Sequence, residues 1–487
     1  MIKPEKEEYL KLAEFYDVIP VYSEMLADTE TPVSVLARFI ESENTFLLES
    51  VEGGETWGRY SFVGIEPQLL LEVDHSNGRT GKLAELRKIY QGLRIAEMPG
   101  VPRFFGGAVG YIGYEAMSEF ERMPLPRIRE GSPRPVSKFL KADRLIVFDN
   151  VKHTLKIVVC TTPKKVLNAG RREIAREYDE AVGEIERITK IIRTPAPLLD
   201  RCIYPAVKFE SNMTRDEFLR MVKKAKEYII AGDIIQVVLS QRFSTVTQVP
   251  PFQLYRALRL LNPSPYMFFI KMGSQILVGS SPEVMVRLTG NRVELRPIAG
   301  TRPRGLTEHE DRKLADELLS DEKEKAEHVM LVDLGRNDLG RVSEPGSVQV
   351  TEYMVIEKYS HVMHMVSHVQ GILRREFDAF DVIRATFPAG TLTGAPKIRA
   401  MEIIHELEPE TRGAHGGAVG YISYTGNMDL AITIRTIEAN NGIVSVQAGA
   451  GVVYDSDPER EFDETCHKAR ALQKSVELAI SGFQLEE

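Results

Sequence analysis

The sequence predicts an α+β protein built on antiparallel β-sheets. The heptapeptide GGAVGYI occurs twice, at 106–112 and 416–422, and each copy lies between strand-like segments. Near the end of the chain GGAVGYISYT, MDLAITIRTIEA and GIVSVQAGAGVVYD follow one another as three strand-like stretches. This order favours antiparallel pairing over alternating βαβ units. We interpret the repeat as two β-rich halves packed together, with chance similarity of seven residues as the alternative.

A proline-rich stretch predicts the boundary between two regions, 1–200 and 206–487. It covers 193–205 and contains three prolines. In the first region an amphipathic lead-in is followed by predicted helices and strands. These are a helix at 32–42, strands within 45–67 that Gly53–Gly54 splits into a hairpin, a helix at 82–95, a strand at 104–115, strands at 141–160 and a charged helix at 166–191.

The second region begins with a helix, Thr214–Ala231, bounded by acidic residues at its start and by Gly232 at its end. Alternation in 234–246 predicts a strand with Gln236 on the same face as Ser240. The remaining predicted elements are a helix at 252–261, strands within 272–304, a strand-like stretch at 351–373, a glycine-rich loop leading into a helix at 387–404, and a final helix at 458–480.

Composition excludes several classes of protein. The chain has 487 residues, of which 43% are hydrophobic and 27% charged, and a formal net charge of −8. No dense basic block indicates nucleic-acid binding, and no apolar run reaches the length of a membrane span. Three distant cysteines without a CxxC pair argue against a disulfide framework and a cysteine-rich zinc site: Cys160, Cys202 and Cys466. The N-terminus lacks a signal-peptide core, so we expect a cytoplasmic protein.

The stretch Leu319–Val342, LSDEKEKAEHVMLVDLGRNDLGRV, predicts a helix that begins at Ser320 or Asp321 and ends at Gly335. Taken alone, Glu324 fits a capping-box partner and Glu327 a solvated surface charge. A second i,i+3 pair, Glu461 and Glu464, lies on another predicted helix. Two such pairs also fit an oxygen-ligated Mg²⁺ site completed by substrate and water.

Other ligand patterns are weaker. His361, His364 and His368 do not share one strand face, which disfavours a zinc site. The segment GTLTGAPK, 390–397, lacks the Gly-Lys-Ser/Thr of a phosphate loop. Glycine N–H groups there and at 449–452 would instead suit a carboxylate, with Arg435 as a two-pronged partner.

The ordered set of motifs resembles the chorismate-utilising enzymes, and among them the large components of anthranilate synthase. It spans nearly the whole chain: LLES, NPSPYMFF, SSPE, PIAGTRPRG, EHVMLVDLGRND, VMHMVS, AGTLTGAPK, GGAVGY and QAGAGVV. The resemblance implies a fold of two large antiparallel sheets packed around a central site, with helices outside.

The resemblance also implies a ligand set. Glu327 and Glu464 would ligate Mg²⁺, with Glu324 and Glu461 in the outer shell. Chorismate would be held through its two carboxylates. The implied substrate-binding residues are Gly300 and Thr301 for the ring carboxylate, and Arg435, Gly449, Ala450, Gly451 and Lys468 around the enolpyruvyl carboxylate.

The reaction implied is attack of ammonia on chorismate, loss of the ring hydroxyl and elimination of pyruvate. Glu283 would be the general acid, His364 would assist pyruvate elimination and Thr391 would line the reacting ring. Isochorismate and salicylate synthases carry a lysine base where this chain has Gln236. Aminodeoxychorismate synthase typically carries a lysine where this chain has Ala299. Both differences favour anthranilate synthase.

No glutaminase site is visible around the cysteines, so the resemblance implies a separate glutamine amidotransferase subunit in a heterotetramer. It also implies feedback inhibition by L-tryptophan at Glu49, Ser50, Pro265, Tyr266 and Met267. An ordinary hairpin is the alternative for LLES.

His415 departs from the tyrosine that relatives often carry. The alternative functions are aminodeoxychorismate synthase and a non-enzymatic regulator that binds tryptophan or chorismate.

Overall fold

Two antiparallel β-sheets run through both regions of the sequence and confirm the predicted fold class. The structure is a computed structural model that describes residues 1–50, 58–73, 83–123, 136–163, 170–197, 202–359 and 362–484. The glycine pair predicted to split the first hairpin, Gly53–Gly54, and His361 lie outside these residues.

The larger sheet has thirteen strands. They are β1 (Ile2–Lys3), β2 (Ile19–Leu26), β3 (Asn44–Glu49), β4 (Tyr60–Gly64), β8 (Arg144–Asp149), β9 (Thr154–Thr161), β10 (Glu210–Ser211), β11 (Gln236–Val246), β12 (Tyr266–Met272), β13 (Gln275–Ser281), β19 (Gly394–Ala395), β22 (Thr436–Asn440) and β23 (Ile443–Val452). Their order is β1-β2-β9-β8-β4-β3-β12-β13-β22-β23-β11-β10, and β19 also pairs with β11.

The smaller sheet has ten strands. They are β5 (Gln68–Val73), β6 (Gly107–Ile112), β7 (Ser137–Lys141), β14 (Val284–Thr289), β15 (Arg292–Leu295), β16 (Ile298–Pro303), β17 (Gln349–Lys358), β18 (Val362–Ile372), β20 (Ala418–Ser423) and β21 (Met428–Ile432). Their order is β16-β18-β15-β14-β21-β20-β6-β7-β5, and β17 pairs with the other edge of β18.

The two GGAVGYI copies pair with each other. Gly110 of β6 lies opposite Gly420 of β20 in an antiparallel register. A Cβ on Gly110 would lie 2.0 Å from the carbonyl oxygen of Lys138 in β7. A Cβ on Gly420 would lie 2.1 Å from the carbonyl oxygen of Asp429 in β21. Only glycine fits such close backbone packing. The repeat therefore joins the two regions at the middle of the smaller sheet, and β3 paired with β12 does the same in the larger one.

Twelve α-helices lie among the described residues. They are α1 (Lys6–Leu12), α2 (Pro32–Ala37), α3 (Leu83–Tyr90), α4 (Met117–Phe120), α5 (Arg171–Ile192), α6 (Arg215–Ile230), α7 (Pro251–Leu261), α8 (Glu308–Ser320), α9 (Glu322–Gly340), α10 (Ala379–Thr386), α11 (Lys397–Leu407) and α12 (Pro458–Ile480). α5, α7 and α12 pack on one face of the larger sheet. Strand side chains such as Phe46, Phe62 and Tyr421 fill the core between the sheets. None of the described helices is long and apolar enough to cross a membrane.

Helix α9 departs from its prediction. Asp321 is the N-cap, as expected, and accepts hydrogen bonds from the N–H groups of Lys323 and Glu324. The predicted end at Gly335 is wrong, because the helix continues to Gly340. Gly335 lies on the buried face, where a Cβ would be 3.4 Å from Leu295. The glycine therefore allows close packing against the smaller sheet instead of ending the helix.

Candidate active site

A buried carboxyl group lies where the two sheets meet. Glu283 falls between β13 and β14, and its Oε2 is 3.4 Å from the hydroxyl of Thr391. Burial raises the pKa of Glu283 to about 8, and the Thr391 hydroxyl opposes this only in part. A carboxyl group with such a pKa keeps its proton at neutral pH and is therefore equipped to act as a general acid.

His364 is held in one orientation by the backbone and side chain of β16. It lies on β18 next to β16, and its Nδ1 is 3.0 Å from the carbonyl oxygen of Gly300 and 3.1 Å from Thr301 Oγ1. An Nδ1–H that donates to Gly300 leaves Nε2 as the free acceptor. Burial lowers the pKa of His364, and nearby Arg435 lowers it further, so the imidazole is neutral.

Gly300 also places a glutamate at the site. Its φ of +66° is a backbone conformation that favours glycine. A Cβ there would lie 3.1 Å from Oε2 of Glu324. Burial raises the pKa of Glu324, and the charge of Glu327 raises it further. Glu324, the first glutamate of the pair on α9, thus faces Gly300 of β16.

The second glutamate of this pair meets the larger sheet. Nε2 of Gln236, at the start of β11, is 3.4 Å from Oε1 of Glu327. The same nitrogen would be 2.7 Å from a Cβ at Gly451. Glu327, Gln236 and the end of β23 therefore lie together.

Helix α12 brings its own glutamates to β23. Lys468 Nζ is 2.6 Å from Glu464 and donates to the carbonyl of Gly449 at 3.0 Å. Burial raises the pKa of Glu461, and the charge of Glu464 adds to that effect. Both helices thus place a carboxylate beside the segment 449–451.

The backbone N–H groups of the three residues 449–451 do not all point in the same direction. The N–H and C=O of a strand residue lie on the same edge, and they alternate along the strand. Because the Gly449 carbonyl points toward Lys468, the N–H groups of Gly449 and Gly451 face away from β11. Ala450 faces Leu239 of β11. Pairing with β22 ends at Val446, so no described strand covers this edge beyond that residue.

Arg435 supplies an uncommitted cation. It lies between β21 and β22 with a φ of +48°, and its carbonyl accepts the N–H of Ser280 at 3.1 Å. Its side chain reaches solvent, while surrounding protein lowers the pKa of the guanidinium. Among the described residues no carboxylate forms an ion pair with it. A two-pronged donor of this kind suits an incoming carboxylate.

Carboxylates dominate the metal-binding groups of this site. Among the described residues, no three His, Cys, Asp or Glu side chains gather into a cluster that would hold a metal by itself. Two candidate ligands remain, Glu327 on α9 and Glu464 on α12. Mg²⁺ is usually bound by one or two carboxylates together with substrate and water. The donor set therefore fits Mg²⁺. His368 is engaged elsewhere, 3.2 Å from Glu294 and 2.7 Å from Thr351.

A cavity of about 470 Å³, separate from the active-site residues described above, lies between the sheets. All five residues predicted for the inhibitor line it: Glu49, Ser50, Pro265, Tyr266 and Met267. The Glu49 carboxylate, however, is bound by Tyr255 and by Arg259 at 2.6 Å. The Met267 side chain likewise packs in the core on the helix side of β12.

The polar floor of this cavity was not predicted. Asp429 accepts hydrogen bonds from Arg287 at 2.9 Å, the Tyr266 hydroxyl at 3.0 Å and Arg103 at 3.4 Å. Arg287 also lies opposite Glu294 of β15, whereas Arg103 is the more exposed of the two guanidinium groups. Asp429 and its three donors lie far apart in the sequence and meet only when β12, β14 and β21 pack together, so local motifs do not reveal them.

Comparisons with known proteins decide the family. A family model described as chorismate binding enzyme matches residues 43–474. The chain belongs to the chorismate-binding enzymes. It is 48% identical to anthranilate synthase component 1 from Acetivibrio thermocellus, and the match covers 98% of this chain and 99% of that relative. This places the chain among the component 1 members of the family.

Solved structures agree with this placement. Anthranilate synthase component I from Streptococcus pneumoniae has a TM-score of 0.75 and 38% identity, covering 87% of this chain and 94% of that one. The menaquinone-specific isochorismate synthase from Escherichia coli has a TM-score of 0.71 over 98% of this chain. At 16% identity it supports the shared fold alone.

Proposed function

We propose that this chorismate-binding enzyme converts chorismate and ammonia into anthranilate and pyruvate. The observation that carries the proposal is Glu283, a buried carboxyl group with a pKa near 8 that touches Thr391. Departure of a ring hydroxyl needs a proton, and a neutral buried acid supplies one. Ala299 offers no side-chain nucleophile at the position where aminodeoxychorismate synthase typically has a lysine.

The other groups take complementary roles. Gly300, Thr301 and Arg435 hold the two carboxylates of chorismate, together with the N–H groups of Gly449 and Gly451. Gln236 lies beside Glu327 and, as a neutral amide, does not activate water. The free Nε2 of His364 accepts or returns a proton when pyruvate leaves.

Glu327 and Glu464 would hold Mg²⁺, with Glu324 and Glu461 outside them. When bound, the ion draws electron density toward the ring carboxylate of chorismate. Lys468 pairs with Glu464 and balances part of its charge.

Ammonia comes from a glutamine amidotransferase subunit, since the relatives are component 1 chains. We further propose that L-tryptophan inhibits the enzyme by binding in the 470 Å³ cavity. Pro265 and Tyr266 suit the indole ring, and the partly exposed guanidinium group of Arg103 suits the α-carboxylate. Three free cysteines are compatible with work in a reducing cytoplasm.

The nitrogen source tests this proposal. The purified chain should form anthranilate from ammonium and chorismate, and at a fixed ammonium concentration the rate should rise with pH up to about 8, because the share of free ammonia increases. It should be inactive with glutamine until a component 2 subunit is added. Glutamine-dependent turnover by the rigorously purified single chain would contradict the two-subunit proposal.

A further inference from the structure

Lys397 joins three helices beneath the candidate active site. It is the first residue of α11, and its Nζ is 2.7 Å from Asp338 of α9. The same nitrogen donates to the carbonyl of Thr386, the last residue of α10, at 3.3 Å. Thr386 and Lys397 are the residues that flank the loop 387–396. One ammonium group therefore closes the base of this loop and ties it to α9.

Helix α9 touches the loop at a second point. A Cβ at Gly390 would lie 2.9 Å from Leu334. Leu334 and Asp338 are four residues apart, so they share one face of α9. Two turns before Leu334, the same helix carries Glu327. Helix α9 therefore holds the first part of the loop, while β19 at the other end pairs with β11.

The loop delivers Thr391 to the candidate acid. Glu283 and Thr391 line a cavity of about 50 Å³, and Asp338, Thr386 and Gly390 line it too. The base of the loop and the hydroxyl that lies 3.4 Å from Glu283 therefore border the same cavity.

Stability alone does not explain this ion pair. Each side chain is 14% exposed, so both charges have lost most of their water. Burial raises the pKa of Asp338 despite the opposing charge of Lys397. Apolar residues of similar volume often stabilise a protein as well as a buried ion pair does. A charged pair with directed hydrogen bonds instead fixes one geometry.

We propose that Lys397 and Asp338 are positioning residues for the reaction. They hold the loop 387–396 so that Thr391 meets Glu283, and they fix this contact relative to the glutamates of α9. The proposal rests on the proposed role of Glu283 as the acid. Neither residue is placed in contact with substrate.

The first test compares single variants. Lys397→Met and Asp338→Asn should each lower kcat about 10- to 100-fold, the range expected when a reacting group is misplaced by about 1 Å. Lys397→Arg keeps the charge and the donors and should recover most of the rate. Lys156→Met is a matched control. Lys156 is 9% exposed and lies 2.6 Å from Glu24 on the strand pair β2–β9, away from the candidate active site. This control should leave kcat unchanged.

The second test separates positioning from general loosening of the fold. Thr391→Val should lower kcat by itself. If Lys397 acts through Thr391, then Lys397→Met should cost little more in the Thr391→Val background. Multiplicative losses in the double variant would overturn the proposal, as would normal kcat in both folded single variants. If Lys397→Met fails to fold, the near-isosteric Asp338→Asn decides in its place. An unchanged kcat in Thr391→Val would instead contradict the role assigned to the Thr391–Glu283 contact.

Discussion

Nε2 of Gln236 lies 3.4 Å from Oε1 of Glu327, and this contact joins the larger sheet to the glutamate helix α9. The family resemblance predicts that Gln236, a neutral amide, occupies the position where water-using relatives carry a lysine base. On that prediction, the contact relates the choice of nucleophile to the candidate metal site.

Replacing Gln236 with lysine should introduce a base beside the nucleophile. We expect slow formation of isochorismate or salicylate from chorismate, detected by mass spectrometry. The rate should rise with pH, because the Glu327 carboxylate stabilises the protonated ammonium that has to lose its proton. Normal anthranilate synthesis with no hydroxylated product would show that Gln236 does not face the nucleophile.

The paired glutamates predict a requirement for Mg²⁺. A chelator should abolish activity and added Mg²⁺ should restore it. Glu327→Gln and Glu464→Gln should lose most activity while keeping the wild-type circular dichroism spectrum. Glu322→Gln is the matched control on α9, since that side chain is 89% exposed. Full activity in Glu327→Gln or Glu464→Gln would remove that residue from the metal site.

The raised pKa of Glu283 predicts two pH effects. At constant free ammonia, kcat/KM should fall as pH rises through about 8, because the acid loses its proton. The pKa of Glu283 in the folded protein exceeds its ordinary value of 4.5. The free energy of unfolding of the wild type should therefore decrease as pH rises from 4.5 to about 8. Glu283→Gln should therefore be nearly inactive yet more heat-stable than wild type at pH 7. Thermal midpoints that differ equally at pH 4 and pH 7 would contradict the assigned pKa.

Tryptophan should inhibit the wild type, and variants of the 470 Å³ cavity should weaken that inhibition. Ser50→Phe fills the cavity, and Tyr266→Phe removes a hydrogen bond to Asp429. Each should raise the inhibitory concentration about tenfold, a loss of about 1.4 kcal/mol, with uninhibited turnover retained. Met267→Thr should act indirectly, by loosening the buried core on the helix side of β12. Wild-type inhibition that persists in Ser50→Phe and Tyr266→Phe would place tryptophan elsewhere.

Some helices were predicted correctly because the sequence contains a capping residue at the helix end. Helix α12 spans the predicted residues, because Asp457 caps it and Pro458 fits its first turn. Gly335 misled the prediction, since a glycine that permits close packing looks in sequence like a glycine that ends a helix. Helix α8 was not predicted, because no element was assigned between residue 304 and the predicted start of α9.

The family resemblance named candidate site residues that lie within motifs, and it did not name residues that only packing brings together. Arg103 and Asp429 belong to no shared motif and meet through paired strands. The engagement of Glu49 by Arg259 likewise depends on where α7 lies on the sheet. Pairing of the two GGAVGYI copies gave the repeat its structural meaning, which seven residues alone did not establish.

Incubation with chorismate, Mg²⁺ and ¹⁵N-labelled ammonium tests the central claim most directly. We predict fluorescent 2-aminobenzoate that carries one ¹⁵N atom, together with an equal amount of pyruvate. A product aminated at the 4-position, or a hydroxylated product without nitrogen, would contradict the account.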